Sequence, residues 1–204
     1  MLRGIILAGG ASSRMGRPKA ALPGGHLGDT FLSRILRTLE SARVPDIVVV
    51  TGAAPGAVRA AAGRVRRHVR FAQNDAWPAG QLSSLVKGLE SRPGQVLEAA
   101  LVVLVDAPFA SIDTMRTVIG TWRRTRAPIV RPARGDVHGH PVIFDRALFD
   151  ELRAADPQLG AKSVVRAHDR DIINVAVDDA GAFIDVDTEA DYRRLISARL
   201  PSSG

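Results

Sequence analysis

Short apolar runs alternate along this chain with stretches whose apolar positions recur at helical spacing. The runs predict strands at 4–7, 47–51, 69–71, 100–105 and 129–131, with later ones near 141–144 and 172–175. The helical spacing falls near 31–42, 57–63, 83–90, 112–126, 147–155, 161–167 and 189–200. The runs Ile47-Val48-Val49-Val50 and Leu101-Val102-Val103-Leu104-Val105 are apolar without alternation, as strands covered on both faces should be. Strands alternating with helices imply right-handed βαβ units and an α/β fold: a Rossmann-like open, mostly parallel sheet flanked by helices. Such sheets bind ligands beyond the carboxyl ends of their strands. That edge would collect the segment after residue 7, the 74–80 loop and Asp106. No repeat or composition shift marks a boundary, so residues 1–204 read as a single domain. Residues 131–144 form an excursion, with a turn at Gly135-Asp136 before a strand returns.

Composition narrows the chemistry. At 204 residues and 46% apolar, the chain can bury a core without staples. Cysteine is absent, which removes disulfides, thiolate metal sites and cysteine nucleophiles together. The first eight residues lack the apolar length and small-residue cleavage site of a signal peptide, and no apolar run reaches membrane-spanning length. A cytoplasmic protein without a membrane partner is expected. The net charge of +7 and the run Arg64-Val65-Arg66-Arg67-His68-Val69-Arg70 raise the question of nucleic acid. Aromatic residues are only 4%, too few to interleave a basic face with stacking platforms, so the run reads as a solvated face leading into a strand. No nucleic-acid partner is expected. Only three lysines occur, Lys19, Lys87 and Lys162, among many arginines, which singles out Lys19 as a chosen point charge.

Lys19 closes the segment Leu7-Ala8-Gly9-Gly10-Ala11-Ser12-Ser13-Arg14-Met15-Gly16-Arg17-Pro18-Lys19. Paired glycines let backbone amides approach a ligand, and Arg14, Arg17 and Lys19 supply positive charge where a polyphosphate would lie. The spacing is neither that of a dinucleotide fingerprint nor that of a P-loop. Asp106 ends a buried strand, and Ser111 with Thr114 is better placed to start the next helix, so Asp106 is not needed as a cap. A strand-end carboxylate beside a phosphate loop suits a nucleoside triphosphate with magnesium. In Asp185-Val186-Asp187-Thr188, the two aspartates would share one face of a short strand and either could give the metal a second carboxylate, Asp187 being preferred. Thr188 with Asp191 resembles a capping box. Asn74, Gly80, Ser83 and Ser84 lie at a helix start, where free amides suit a base, ribose or phosphate. His138 and His140 lack a third nearby ligand for zinc, and Gly139-His140-Pro141 reads as a turn shaping a pocket.

With these segments in place, the chain resembles the molybdenum cofactor nucleotidyltransferases from residue 4 to about 196. The segment from Leu7 to Lys19 is close to that family's L-A-[AG]-G-x-S-x-R-M-G-x-x-K. Asn74, Trp77, Gly80, Ser83-Ser84-Leu85, Asp106 with Pro108, Gly139 to Phe144, Gly160-Ala161-Lys162-Ser163 and Asp185 to Thr188 follow in family order. The resemblance implies a nucleotidyltransferase fold, with Leu7, Ala8, Gly9, Gly10 and Ser12 at the nucleotide, Arg14 and Lys19 on its phosphates, and magnesium on Asp106 with Asp187. Arg14, Lys19 and Asp106 would carry catalysis. Arg131, His140, Lys162 and Ser163, from the excursion at about 131–170, would hold the acceptor. The substrates implied are a nucleoside triphosphate and the molybdenum cofactor, with a client molybdoenzyme as a further partner. Two positions depart from the pattern. Ala107 stands where the family often has glutamine, and Gly9 has the form of the guanylyltransferase branch. The longer match, over 74–85 and 139–188, is to the cytidylyltransferases, so CTP is expected and GTP stays open. The absence of a side chain at Gly9 would let a purine approach more closely than alanine allows. A reductase of the nicotine blue type and a non-catalytic cofactor chaperone are the rival readings.

Overall fold

The computed structural model describes residues 1–25, 28–63 and 69–199. Most of the Arg64–Arg70 run and Leu200 of the predicted last helix lie outside the described residues. One mixed sheet organises the chain, in the order β3-β2-β1-β4-β7-β5-β6, with β8 on the other side of β5. Here β1 is Leu2–Ala8, β2 Ile47–Thr51, β3 Val69–Gln73, β4 Ala99–Leu104, β5 Ile129–Arg134, β6 Val137–His138, β7 Val142–Asp145 and β8 Ile172–Ala176. The helices are α1 Phe31–Ser41, α2 Pro55–Ala61, α3 Gln81–Glu90, α4 Ile112–Thr125, α5 Phe149–Ala154, α6 Ala161–Ala167 and α7 Glu189–Arg199.

The half built from β3, β2, β1 and β4 is parallel, as the buried apolar runs predict. Beyond β4 the sheet changes character. β7 enters antiparallel to both β4 and β5, because the β5–β6 hairpin and the turn through Gly139 reverse the chain before it pairs. Apolar periodicity does not encode strand direction: Ile143 and Phe144 are buried here just as parallel-strand residues would be.

Alternate strand residues face opposite layers. Ile6, Val49 and Leu101 pack under Leu32, Ile35 and Leu36 of α1 and Met115, Val118 and Trp122 of α4. Ile5, Val48, Val50 and Val102 pack under Leu82, Leu85 and Leu89 of α3 and Leu152 of α5. Gly88 admits this contact, since a Cβ there would stand 2.5 Å from Ile5 Cγ2. Among the described residues no helix is long and apolar enough to cross a membrane.

The register places the site. Ala8 pairs with Thr51, Thr51 with Gln73, and Leu7 with Leu104, so the parallel strands end level and their following loops share one edge. At the opposite end Arg3 is fully buried. It donates to Asp46 Oδ2 at 2.6 Å and to the carbonyl oxygens of Gly88 and Leu89, the last turn of α3. A guanidinium on these terminal carbonyls satisfies groups left open by the helix, and fixes α3 with its amino end at the loop edge.

Candidate active site

The loop after β1 is held from below. Met15 is buried with Leu22, Phe31, Phe109, Val186 and Tyr192 in a small apolar cluster beneath it. Above that anchor, Ser12 takes left-handed backbone angles, accepts from Met15 N through its carbonyl at 2.9 Å, and accepts from Lys19 N through its Oγ at 3.1 Å. The hydroxyl of Ser12 therefore fixes the start of the short turn that carries Lys19.

The Lys19 side chain is only 11% exposed. Its Nζ donates to Asp106 Oδ2 at 3.0 Å and to Asp187 Oδ1 at 2.8 Å, joining residues from three distant parts of the chain. Burial works against the Lys19 charge, but the two carboxylates outweigh it and raise its pKa above the usual lysine value. The Lys19 hydrogen bond in turn holds the Asp187 carboxyl below the usual range. Arg14 lies 3.8 Å from Asp187 and Arg17 3.9 Å from Glu189. Asp106 Oδ1 is enclosed and has no hydrogen-bond partner among the described residues.

The segment bearing Asp185 and Asp187 is not a strand, contrary to expectation. It is an extended stretch between a short 3-10 turn at Ala180–Phe183 and α7, with Val186 fully buried and its N–H donated to the Asp106 carbonyl at 2.8 Å. Of the two aspartates, Asp187 shares Lys19 with Asp106. Burial pushes the Asp185 carboxyl up, with the charges of Asp106 and Asp187 adding to this and His140 and Lys19 opposing it. The capping box of Thr188 and Asp191 is present at the start of α7.

Two clefts meet here. The first, about 360 Å³, is lined by Leu7, Ala8, Gly9, Gly10, Ser12, Arg14 and Lys19, by Gly80 and Ser84 at the start of α3, and by Asp106 and Asp187. Ala54, Val58, Trp77 and Pro78 complete one wall. Sequence reasoning did not assign this wall, since small and apolar residues carry no chemical signature. The glycine Gly52, after an apolar run, was its available signal: a Cβ there would lie 2.3 Å from the Gly9 carbonyl oxygen and 2.7 Å from Trp77 Cβ.

Asn74 and Ser83 do not line the cleft. Asn74 is buried, and its Nδ2 donates to Ser83 Oγ at 2.9 Å and Ser84 Oγ at 3.0 Å. Together they brace the amino end of α3, which begins at Gln81 rather than at Ser83, and Ser83 turns its hydroxyl back to the Gly80 carbonyl at 2.7 Å. Only Ser84 of the pair borders the cleft.

The second cleft, about 380 Å³, shares Leu7, Gln81, Asp106 and Asp187 with the first. Leu82, Leu85, Val102, Leu104, Val142 and Phe144 give it an apolar floor, and Arg131, His140, Lys162 and Asp185 its polar rim. Arg131 Nε donates to Asn174 Oδ1 at 2.9 Å, while Lys162 has no ion-pair partner among the described residues. Burial lowers the His140 pKa. The turn that carries it is fixed by His140 N donating to the Ala182 carbonyl, an approach that Gly139 permits because a Cβ there would meet the same oxygen at 2.2 Å. Ser163 is not brought into either cleft; its hydroxyl donates to the Gly160 carbonyl at 2.8 Å.

The position of Gly9 revises the expectation about base size. A Cβ at Gly9 would point at Ser84 Oγ, 3.0 Å away, rather than into open space. Gly9→Ala is therefore expected to displace the Ser84 hydroxyl and weaken GTP and CTP alike, by about tenfold, as small overpacking strain does. The double variant with Ser84→Ala should recover most of that loss, read from nucleotide affinities. A loss confined to GTP would instead place the methyl against the base.

Comparison with known proteins agrees with this architecture. The family model described as MobA-like NTP transferase domain matches residues 4–172. A probable molybdenum cofactor guanylyltransferase of Mycobacterium avium (strain 104) is 31% identical over 204 residues, covering 97% of this chain and 96% of the relative. The nicotine blue oxidoreductase of Paenarthrobacter nicotinovorans is 28% identical, covering 95% of each chain. The crystal structure of Rv0371c from Mycobacterium tuberculosis H37Rv superposes with a TM-score of 0.80 at 28% identity, covering 96% of this chain and 97% of that one. That protein has also been solved in complex with manganese, with a TM-score of 0.74 at 28% identity, covering 97% of this chain and 98% of that one.

Proposed function

Since the chain belongs to the MobA-like NTP transferase domain family, we propose that it transfers GMP from GTP to the terminal phosphate of the molybdenum cofactor, releasing pyrophosphate. The observation that carries this reading is the junction of the two clefts at Asp106 and Asp187, with the Lys19 ammonium between them. A nucleotide in the first cleft and an anionic acceptor in the second would meet there. For the base, CTP was the expectation from the longer sequence match. The relatives named guanylyltransferase, together with Gly9 after Leu7-Ala8, support GTP better.

A terminal phosphate oxygen of the acceptor attacks the α-phosphorus of GTP and forms the new P–O bond. The bond from that phosphorus to the α,β-bridging oxygen breaks, and its electron pair leaves with pyrophosphate. No protein nucleophile is required, because the acceptor brings its own anionic oxygen. The chain's work is to hold two anions in line and to neutralise charge in transfer. Lys19 and Arg14 act from the loop on the phosphates. The unpartnered Oδ1 of Asp106 and the carboxylate of Asp187 are hard oxygen donors that fit a magnesium ion. Bound there, the ion would supply Lewis-acid stabilisation of phosphoryl oxygens. Lys162 and Arg131 would orient the acceptor over the apolar floor, His140 would close its side, and the 131–170 excursion thereby forms the acceptor half of the site.

The test is pyrophosphate release. It should require GTP, a divalent metal and the molybdenum cofactor together; release in the absence of acceptor would remove the second cleft from the reaction. A second reading, reduction of an apolar ring compound, is favoured by the nicotine blue oxidoreductase relative and by the apolar floor. It predicts acceptor-dependent loss of nicotinamide absorbance, which the transferase reading does not.

A further inference from the structure

The cations and carboxylates of the first cleft are paired with one another. Lys19 Nζ sits within hydrogen-bond distance of both Asp106 and Asp187, and Arg14 approaches Asp187 from the loop. We propose that Lys19 holds the place of the divalent cation and Asp187 the place of the polyphosphate, so that metal and nucleotide bind as a unit and neither binds well alone. This rests on reading the cleft as a metal–nucleotide site.

A divalent ion held by both carboxylates would compete with the ammonium for the two groups it now bridges, Asp106 Oδ2 at 3.0 Å and Asp187 Oδ1 at 2.8 Å. Entering alone, it would meet the positive charge of Lys19 in a part of the cleft where that side chain is only 11% exposed. A triphosphate entering alone would meet the negative charges of Asp106 and Asp187 while its cationic partners are occupied by those same groups. Arriving together, the two exchange partners with the protein: Lys19 turns to the phosphates and the carboxylates turn to the metal. Each ligand then removes the like charge that opposes the other. Asp106 Oδ1, the other oxygen of the same carboxylate, is enclosed and has no partner among the described residues. The segment carrying Asp187 stays in place throughout, because Val186 is buried and bonded to the Asp106 backbone rather than to its side chain.

Coupling of this kind is reciprocal, so each ligand must raise the other's affinity by the same factor. The experiment titrates the full chain with Mn2+, following free Mn2+ by electron paramagnetic resonance, with and without the α,β-methylene analogue of GTP. Binding of Mn2+ by the analogue itself is subtracted. The expected gain in Mn2+ affinity is about tenfold or more, with the same gain for the analogue at saturating Mn2+. Lys19→Gln removes the internal cation. In that variant Mn2+ alone should bind about tenfold more tightly than in the wild type, and should raise the unfolding temperature without nucleotide, with no such rise expected in the wild type. Equal Mn2+ affinity of the wild type with and without the analogue overturns the coupling, and this arm needs no variant to fold. A Lys19→Gln protein with no gain for Mn2+ alone overturns the role of Lys19. If the wild type binds neither Mn2+ nor the analogue in any combination, the nucleotide-site reading falls as well.

Discussion

Replacing Lys19 with alanine is expected to lower kcat/KM for nucleotidyl transfer by two to three orders of magnitude. A preorganised cation on a transferring phosphoryl group contributes about 3–4 kcal/mol in a partly dry site, and that range converts to this loss. Lys19 is placed to act so: its backbone is fixed by Ser12 Oγ, and its Nζ is bonded to Asp106 and Asp187, which border both clefts. The loss should appear in kcat as well as in KM, because the group serves the transition state more than the ground state. On an exposed loop the substitution would barely change stability, but Lys19 is largely buried, and removing its ammonium leaves Asp106 and Asp187 facing each other. The half-exposed Asp187 tempers the cost, which we expect near 1 kcal/mol, visible as a lowered unfolding temperature. Steady-state rates with a fixed acceptor measure the first effect; normal turnover would remove Lys19 from the reaction.

Much of this site was legible because its chemistry is dense in a few short segments. The loop from Leu7 to Lys19 combines paired glycines with cations, and Asp106 ends an apolar run, so both announce themselves without tertiary information. The parallel half of the sheet was legible for the same reason: β4 and all but the last residue of β2 are apolar. What escaped depends on contacts between distant residues. Nothing local in Asp185-Val186-Asp187 says that Val186 will be tied to the Asp106 backbone, or that Lys19 will reach Asp187 across the chain. Nor does periodicity reveal that β7 runs antiparallel between β4 and β5. Asn74 and Ser83 looked like ligand groups because polar residues at a helix start serve binding and capping equally well. Their hydrogen bonds to each other, to Ser84 and to the Gly80 carbonyl decide for support. The first-cleft wall from Ala54, Val58 and Trp77 is shape rather than chemistry, and only close approaches at Gly52 mark it.

Asp106→Asn should be nearly as damaging, lowering turnover about a hundredfold at a metal concentration that saturates the wild type. The substitution keeps the shape of the side chain and removes the charge that a divalent ion needs. It leaves the backbone carbonyl that holds Val186 untouched, so the Asp187 segment should keep its position. Lys19 also retains Asp187 as a partner. The signature is therefore a shifted metal dependence: raising the magnesium concentration should restore part of the lost rate. Asp187→Asn is the comparison. Its side chain is half exposed where that of Asp106 is 25% exposed, so water can replace more of what it provides, and the effect should be smaller. An unaltered magnesium titration in Asp106→Asn would move the metal elsewhere in the cleft.

On the proposed function, one junction joins a guanine nucleotide to the terminal phosphate of the molybdenum cofactor. The direct measurement is a single reaction containing the protein, magnesium, purified molybdenum cofactor and equal GTP and CTP, with the products resolved by mass. The expected product is a cofactor heavier by one GMP, formed in step with pyrophosphate, with little of the CMP adduct. A CMP adduct in excess would contradict the guanylyl assignment while keeping the transferase. An acceptor of unchanged mass, with neither nucleotide consumed, would contradict the claim itself.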